Sequence, residues 1–463
     1  MGYGLGFETL ERETRIEALP VEGEIPGWLG GSLLRTGPAR FEVGARELSH
    51  WFDGLAMLHR FGFAGGAVSY ANRYLESRAY RAVEETGAIG YSEFATDPCR
   101  SLFRRAMSLF QPALSDNCNV NLVRLGERFV AMTETPLPVE FDPATLAAAG
   151  VGWKVPGQLT TAHPHLDRGG GMLNYAARLG PRSSYRFFRL AGAPGATPEI
   201  VASLPTRRPA YMHSFGLTER WLVLAEFPFV VNPAALALSG RPYIENYRWR
   251  PELGTRFTLL DRSGGEALGP FTADPCFGFH HVNAFEDAHG DVVADVCAFD
   301  DAGIVKCLYL DVLRAGRAIP APELTRFTIS PATGAVARER LVDEPVELPR
   351  IDYGRCNGRP YRYAWGAGTD GSGFFDRIVR ADLRERTTVT WSETGCWPGE
   401  PVFVARPDAG DEGDGVLLSV VLDGAAGSSF LLVLDAATLA EVGRAIVPHH
   451  VPFGFHGQYA AAA

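Results

Sequence analysis

Short apolar runs, each about the length of one β-strand and bounded by turn residues, recur along the whole chain. Clear examples lie at residues 129–132, 221–226, 292–297, 415–422 and 430–434. The 52 glycines and 32 prolines are spread evenly between such runs, as expected where turns separate many short elements. This pattern predicts an all-β fold, which could be a sandwich, a barrel or a propeller.

Helical patterns are scarce, and the two that we identify are weak. They lie at residues 101–110 and at Pro233–Leu238. A short repeat gives stronger local information: FDPATLAAAG from Phe141, ISPATGAVAR from Ile329 and LDAATLAEVG from Leu434 share one shape. In each, an Asp or Ser follows an apolar residue and can cap a turn with its side chain. We therefore predict a tight hairpin at each copy, although the spacing of the copies supports a propeller only weakly.

The chain has no proline-rich or serine-rich linker that would divide it. Its 463 residues would allow two or three domains, but large β folds also exceed the usual domain size. The acidic, glycine-rich piece RPDAGDEGDG from Arg406 is short, and we interpret it as a surface loop. We therefore predict a single domain over residues 1–463.

Charge and missing motifs exclude several classes of function. The formal net charge of −10 argues against nucleic-acid binding, which needs a basic surface. The phosphate-binding pattern G-x-x-x-x-G-K-[ST] is missing, so no nucleotide cofactor is expected. The seven cysteines include no C-x-x-C pair, which favours reduced thiols in a cytoplasmic protein.

Four of the eleven histidines lie far apart in sequence among strand-like or turn residues: His163, His213, His280 and His456. Any one of them alone is most simply a hydrogen-bonded core residue. In a ring-shaped fold, however, distant segments converge on one axis, where four imidazoles would make a metal site. Neutral imidazole suits iron, copper, nickel and zinc alike, so the residues indicate a transition metal and leave its identity open.

The chain resembles the carotenoid cleavage oxygenases along nearly its whole length. The segments that carry the resemblance occur in the family's order: GSLLRTGPARFEVG from Gly31, HWFDGLAMLHRF from His50, AHPHLD from Ala162, MHSFGLT from Met212, FHHVNAFED from Phe279, EPVFVARPD from Glu400, DGVLLSVVLD from Asp414 and FHG from Phe455. The resemblance implies a seven-bladed β-propeller with a cap of loops and short helices over one face.

The resemblance also implies an iron(II) ion on the propeller axis, held by four histidines. They map to His163, His213, His280 and His456. In AHPH and in FHH the family ligand is the first histidine, so His165 and His281 are expected to be structural.

Three glutamates complete the implied site, at Glu134 in AMTET, Glu347 in VELPR and Glu400 in PGEPVFV. A ligating histidine uses one ring nitrogen for the metal and donates its other N–H outward, where a carboxylate fixes the ring orientation. Taken alone, each glutamate would more simply be a solvated surface residue.

The implied reaction is the cleavage of a carbon–carbon double bond of an apolar polyene by O2, which gives two carbonyl products. Electrons come from the double bond itself, so no reducing cofactor is expected. Three residues are predicted to line the substrate tunnel: Phe52, Phe94 and Thr133. The stretch from Tyr91 is similar to the animal β-carotene oxygenase and retinoid isomerase branch, which favours a carotenoid or apocarotenoid substrate and retinal-type products.

Two other functions stay open at this stage. Stilbene-cleaving members of the family deprotonate a phenol with a Tyr and with a Lys that directly precedes the first glutamate. Thr133 stands at that place, and the lysines of the chain, Lys154 and Lys306, match neither position. A propeller that serves as a non-catalytic interaction platform is the other alternative, and iron content would distinguish it.

The segment CRSLFRRAMSLFQP, residues 99–112, mixes apolar and cationic residues on a predicted short helix. This composition is typical of a patch that contacts a membrane surface, although a helix packed on the propeller would look similar. The predicted patch comprises Leu102, Phe103, Met107, Leu109 and Phe110. We therefore expect a cytoplasmic protein with peripheral contact to a membrane.

Overall fold

Seven small antiparallel sheets make up the molecule. They are seen in a computed structural model that describes residues 2–98, 114–167 and 169–462. The sheets are the blades of a seven-bladed β-propeller, so the predicted fold is confirmed. The predicted membrane patch and the helix expected at 101–110 lie outside the described residues. The helix expected at Pro233–Leu238 is confirmed, and the Asn232 side chain caps it.

The blades follow one another along the chain, except that blades 1 and 7 borrow strands from the opposite terminus. Blade 1 contains Thr14–Ile16, Gly31–Arg40, Leu55–Ala64, Ala67–Tyr74 and Gly457–Ala461. Blade 2 contains Asn121–Leu125, Arg128–Met132, Val139–Phe141 and Ala148–Val151. Blade 3 contains Leu159–Thr160, His165–Leu166, Met172–Arg178, Ser184–Leu190 and Glu199–Pro205. Blade 4 contains Gly216–Leu217, Trp221–Glu226, Thr255–Asp261 and Ala267–Ala273.

The remaining blades complete the ring. Blade 5 contains Phe277–Glu286, Val292–Phe299, Glu323–Ile329 and Val336–Arg340. Blade 6 contains Glu347–Arg350, Tyr363–Gly368, Arg377–Asp382 and Thr387–Trp391. Blade 7 contains Val21–Gly23, Cys396–Pro398, Val402–Ala405, Gly415–Asp423, Ser428–Asp435 and Glu441–Val447. Two ribbons lie apart from the blades: Glu42–Val43 with Arg46–Glu47, and Phe229–Val230 with Arg248–Trp249.

Short helices lie in the connections between strands. The α-helices are Arg78–Thr86, Pro233–Leu238, Gly303–Cys307, Leu310–Arg314 and Tyr353–Cys356. The 3-10 helices are Tyr3–Phe7, Trp51–Asp53, Tyr243–Asn246 and Pro251–Leu253. No helix in the described part of the chain is long and apolar enough to cross a membrane.

Apolar side chains fill the spaces between neighbouring blades. Successive side chains of a strand point to opposite faces of its sheet. Leu33 therefore packs between blades 1 and 7, while the next residue, Leu34, packs between blades 1 and 2. In blade 7, Leu417 likewise packs against blade 6, and the next residue, Leu418, packs against blade 1. Because both faces of these strands are buried, the sequence shows continuous apolar runs instead of alternation.

The three copies of the repeat all form hairpins between two consecutive strands of a blade, as predicted. Residues Phe141, Ile329 and Asp435 end the first strand of each hairpin. In blades 2 and 7 the turn is capped by an aspartate, since Asp142 and Asp435 accept hydrogen bonds from the threonine three residues later. The fifth turn residue has a positive φ in every copy, at Leu146, Gly334 and Leu439.

Replacing Asp435 with alanine should lower the free energy of unfolding by about 1 kcal/mol, because its side chain accepts bonds from both the N–H and the hydroxyl of Thr438. Ser330 holds the equivalent position in blade 5, and its side chain makes no hydrogen bond among the described residues. Ser330→Ala should therefore change stability by less than about 0.5 kcal/mol. Urea unfolding of both variants measures the difference, and equal losses would contradict the capping role.

Candidate metal centre

Four histidines meet at one end of the propeller's inner strands. One ring nitrogen from each of His163, His213, His280 and His456 lies within 4.8 Å of the others. The closest pairs are His163 Nε2 with His213 Nε2, at 3.0 Å, and His280 Nε2 with His456 Nε2, at 3.1 Å. These are the four histidines that the family resemblance implies, whereas His165 and His281 lie outside the cluster.

Irregular strand pairing aims His280 inward. Its strand, Phe277–Glu286, pairs with Val292–Phe299, and the register shifts on both sides of His281. The six residues from Gly278 to Asn283 lie opposite only four on the partner strand, Asp295 to Ala298. Such bulges twist a strand and redirect its side chains. Each of the other three histidines precedes an innermost strand by one to three residues. His163 precedes His165–Leu166 of blade 3, His213 precedes Gly216–Leu217 of blade 4, and His456 precedes Gly457–Ala461 of blade 1.

A glutamate from another blade accepts a hydrogen bond from the outer nitrogen of three of these rings. The Nδ1–H of His213 donates to Glu134 at 2.7 Å, that of His280 donates to Glu347 at 2.6 Å, and that of His456 donates to Glu400 at 2.6 Å. The carboxylates fix the rings with the proton on Nδ1 and the lone pair of Nε2 directed into the cluster. The four histidines and the three glutamates together comprise one residue from each of the seven blades.

This tautomer makes the donor set fit a cation. His280 and His456 both have Nδ1–H committed to carboxylates, so the 3.1 Å contact between their Nε2 atoms joins two lone pairs. Two lone pairs at that distance repel each other unless a cation lies between them. Four neutral imidazoles in such an arrangement suit a transition-metal ion.

Burial favours the neutral form of three of the imidazoles, and their partners keep two of the nearby acids ionised. Desolvation lowers the pKa of His163 and His213, and it lowers the pKa of His456 to about 4. Burial alone would raise the pKa of Glu400, but the positive charge of Arg350 and the hydrogen bond from His456 outweigh it and hold that pKa well below its usual range. The pKa of Glu347 is also lowered, because His280 outweighs the effect of burial.

The two histidines outside the cluster have structural partners. His165 contacts the carbonyl of Phe215 through Nε2 at 2.9 Å and the Tyr353 hydroxyl through Nδ1 at 3.1 Å. His281 contacts the Ser214 hydroxyl through Nδ1 at 2.9 Å. These contacts tie together the inner strands of neighbouring blades.

An apolar cavity opens onto three of the four histidines. Its polar lining consists of His213, His280, His456 and Glu347. The apolar lining consists of Trp51, Phe52, Val120, Phe279, Phe299, Ile304, Leu308, Ile319, Pro320, Leu348, Phe375 and Phe455. Much of this wall comes from the connections between strands, which cover the axis at this end. A concave, mostly apolar lining with a few convergent polar groups is typical of a small-molecule site.

The three residues predicted to line the tunnel occupy different places. Phe52 lies in the cavity wall, with its ring centroid 6.3 Å from that of His213 and an angle of 26° between the two ring planes. Phe94 packs behind Phe52, with ring centroids 5.1 Å apart. Thr133 is half-buried beside Glu134 and is absent from the wall as described. Substrate contact by any of the three stays a prediction.

Sequence reasoning missed most of the cavity wall. Phe279, Leu348 and Phe455 are each adjacent to a predicted metal-site residue, and this adjacency was a usable signal. Residues such as Ile304 and Ile319 carry no local signal, because their positions depend on how distant connections fold over the axis. Arg350, which contacts Glu400, was also missed, although it lies three residues after Glu347.

Comparison with known proteins decides the family. A family profile described as "RPE65: Retinal pigment epithelial membrane protein" matches residues 7–461. The chain belongs to this family. Its relatives in the family include enzymes named for the cleavage of carotenoids, and the resemblance inferred from the motifs is confirmed.

Two curated relatives and one solved structure of the family illustrate the similarity. The chain is 35% identical to "Carotenoid-cleaving dioxygenase, mitochondrial" of Macaca fascicularis, over 97% of this chain and 93% of the relative. It is 35% identical to "Beta,beta-carotene 15,15'-dioxygenase" of Rattus norvegicus, over 95% of this chain and 88% of the relative. The structure of cobalt-substituted Synechocystis apocarotenoid oxygenase superposes with a TM-score of 0.89 at 26% identity, over 99% of this chain and 98% of that one.

Proposed function

We propose that the chain is an iron(II)- and O2-dependent dioxygenase that cleaves a carbon–carbon double bond of a carotenoid or apocarotenoid into two carbonyl products. The observation that carries the proposal is the four-histidine cluster at the inner end of an apolar cavity. Family membership supports the substrate class, since the curated relatives are named for carotenoid cleavage. Retinal-type products fit the β-carotene dioxygenases among them.

The reaction argues against zinc, and the family resemblance selects iron among the redox-active metals that imidazole binds. Oxidative cleavage with O2 needs a redox-active metal, and zinc, which neutral imidazoles would also bind, has no redox chemistry. His163, His213, His280 and His456 would hold the ion through Nε2, and the three glutamates would keep those rings aimed. Iron(II), when bound, supplies the chemistry with dioxygen.

The protein's own side chains orient the polyene and exclude water. The aromatic rings of Phe52, Phe279 and Phe455 pack around the histidines and offer flat apolar surfaces to a conjugated chain. One molecule of O2 and one double bond contain all the atoms and electrons of two carbonyl groups. No acid, base or nucleophile is therefore required of the cavity wall.

A phenolic stilbene is a weaker candidate substrate. Its cleavage within the family uses a lysine and a tyrosine to deprotonate the phenol. Lys154 and Lys306 are both exposed, and neither they nor any tyrosine is part of the described cavity wall. This arrangement favours a substrate without a phenol group.

One experiment tests the proposal directly. The protein is loaded anaerobically with iron(II), O2 is admitted, and β-carotene, an apocarotenal and a hydroxystilbene are offered side by side in detergent. We expect two carbonyl fragments from a carotenoid or apocarotenoid, with chain lengths that identify the cleaved bond by mass spectrometry. Turnover of the hydroxystilbene alone would overturn the substrate class. An iron-loaded protein that cleaves none of them would overturn the proposed reaction, and a protein that takes up no iron would favour the interaction platform.

A further inference from the structure

A bulge in the first strand of blade 6 places two charged residues on the same side. Glu347 pairs with Ala367 and Arg350 pairs with Trp365, so three steps on one strand span two on its partner. In a regular strand, residues three apart point to opposite faces. The extra residue removes that alternation, and Leu348 adopts a left-handed conformation (φ 49°) within the bulge. Arg350 therefore points towards the axis, as Glu347 does.

Arg350 contacts both the carboxylate that holds the His456 ring and the backbone directly after His456. Its Nε–H donates to Glu400 Oε1 at 2.8 Å, and the same oxygen accepts from His456 Nδ1. Its Nη2 donates to the carbonyl of Gly457, the residue directly after His456. Blade 6 is thereby joined to the carboxylate of blade 7 and to the backbone of blade 1.

The three carboxylates of the centre differ in their additional partners. Glu134 also accepts from the Tyr211 hydroxyl at 2.7 Å, and Glu347 also accepts from the Leu348 N–H. Glu400 accepts from the Gly457 N–H at 2.9 Å and from Arg350. Among the described residues, Glu400 is the one carboxylate of the three with a hydrogen-bonded guanidinium, and its side chain is fully buried.

We infer that Arg350 is a positioning residue of the metal centre, because it fixes Glu400 and the backbone after His456 so that His456 Nε2 stays aimed into the four-histidine cluster. The inference rests on the proposed function in one respect, namely that the cluster holds a metal. It adds a member to the site that neither the histidines nor the three glutamates account for.

A purely electrostatic role for Arg350 predicts the opposite effect on metal binding. A positive charge near the cluster repels a divalent cation, so its removal would tighten binding if charge were its only contribution. Loss of a residue that orients a ligand weakens binding, by about 10- to 100-fold for the outer partners of metal ligands. The sign of the change therefore separates the two roles.

The test is a cobalt(II) titration of the full chain, followed by the visible absorption of the bound ion and by competition with a chelator. Arg350→Met should weaken cobalt(II) binding by about 10- to 100-fold and change the absorption spectrum. Arg350→Lys keeps the charge, but its single ammonium group cannot reproduce the paired guanidinium hydrogen bonds to Glu400 and Gly457. It should therefore bind cobalt(II) more tightly than Arg350→Met and less tightly than the wild type. Tighter binding by Arg350→Met, or wild-type affinity and spectrum in Arg350→Lys, would overturn the inference.

Arg326 provides a matched control. It donates to the buried Asp295 through two bonds of 2.8 Å, and the side-chain exposures of the pair, 23% and 0%, resemble the 19% and 0% of Arg350 and Glu400. Arg326→Met should lose a similar ion pair yet bind cobalt(II) as the wild type does. Equal weakening in both variants would mean that general destabilisation is responsible and would overturn the inference.

Failure of the inference can be told apart from failure of the proposed function. A wild type that binds no cobalt(II) or iron(II) contradicts the metal centre itself. A wild type that binds one ion, with an unchanged Arg350→Met variant, contradicts the role of Arg350 alone. If Arg350→Met does not fold, the Arg350→Lys variant decides, since it keeps a cation beside Glu400.

Discussion

Replacing His280 with alanine should remove metal binding and oxidative cleavage, while replacing its neighbour His281 should preserve both. His280 is buried, its Nε2 lies in the four-histidine cluster and its Nδ1 is held by Glu347. Without it, three imidazoles remain and the buried Glu347 loses one of its two hydrogen-bond donors. Loss of an outer partner already costs about 10- to 100-fold in metal affinity, so loss of a ligand should exceed about 100-fold.

His281 is a close control because it is adjacent in sequence and partly buried. Its Nδ1 contacts the Ser214 hydroxyl at 2.9 Å, and it contributes no atom to the cluster. His281→Ala should lower stability but keep the bound metal. Metal analysis by mass spectrometry and product analysis by chromatography give the two readouts. Full iron content in His280→Ala, or its loss in His281→Ala, would contradict the assignment of ligands.

The free energy of unfolding should fall steeply in acid, and one residue should account for about 3 kcal/mol of the loss between pH 7 and about pH 4.5. That residue is His50, which is fully buried. Its Nδ1 accepts from the Phe52 N–H at 3.1 Å and its Nε2–H donates to the Val305 carbonyl at 3.0 Å. Both nitrogens are in use in the neutral ring, so a second proton would break the bond to Phe52.

Burial lowers the pKa of His50 to about 3 in the folded protein, against about 6.5 in an unfolded chain. As the pH falls below 6.5 the unfolded chain takes up a proton that the folded protein does not. Stability from this group is therefore complete above pH 6.5 and is lost progressively down to about pH 3. The contacts join the Phe52 wall of the cavity to helix Gly303–Cys307, and in the folded protein they should persist until His50 is protonated near pH 3.

His50→Gln removes the titration and keeps polar atoms at the site. Urea unfolding of the wild type and the variant, with the same metal load in both, should be measured at pH 7 and at about pH 4.5. The variant should lose about 3 kcal/mol less than the wild type between these conditions, since all other titrating groups are shared. An identical pH dependence in the two proteins would show that His50 does not stay neutral in the folded state.

The strands and turns were predictable from the sequence because their causes are local. Each of the five apolar runs became a strand, and each copy of the repeat formed a turn with a residue of positive φ four positions after its Asp or Ser. The number of blades came from family resemblance, since alternation and turn spacing do not distinguish a sandwich from a propeller. The histidines and glutamates of the site were identified by the same resemblance.

What could not be predicted depends on register and on contacts between distant segments. The bulges around His281 and Leu348 arise from how two strands pair. The residue types in these segments do not indicate that the strand contains an extra residue. The role of Arg350 depends on that register, because the register decides on which face of the strand the Arg350 side chain lies. Ile304 and Leu308 reach the cavity through helix Gly303–Cys307 and the residues after it, whose placement depends on the whole cap.

The contribution of one residue from every blade has a consequence for biosynthesis. His456 is translated after all the other members of the set, and the strand that follows it, Gly457–Ala461, joins blade 1 by pairing with Gly31–Arg40. A nascent chain in which blades 2 to 7 have formed still lacks its fourth imidazole. Tight capture of iron should therefore follow ring closure and not accompany synthesis, because binding to such a site is coupled to folding. Metal retention would then report that the chain has closed correctly.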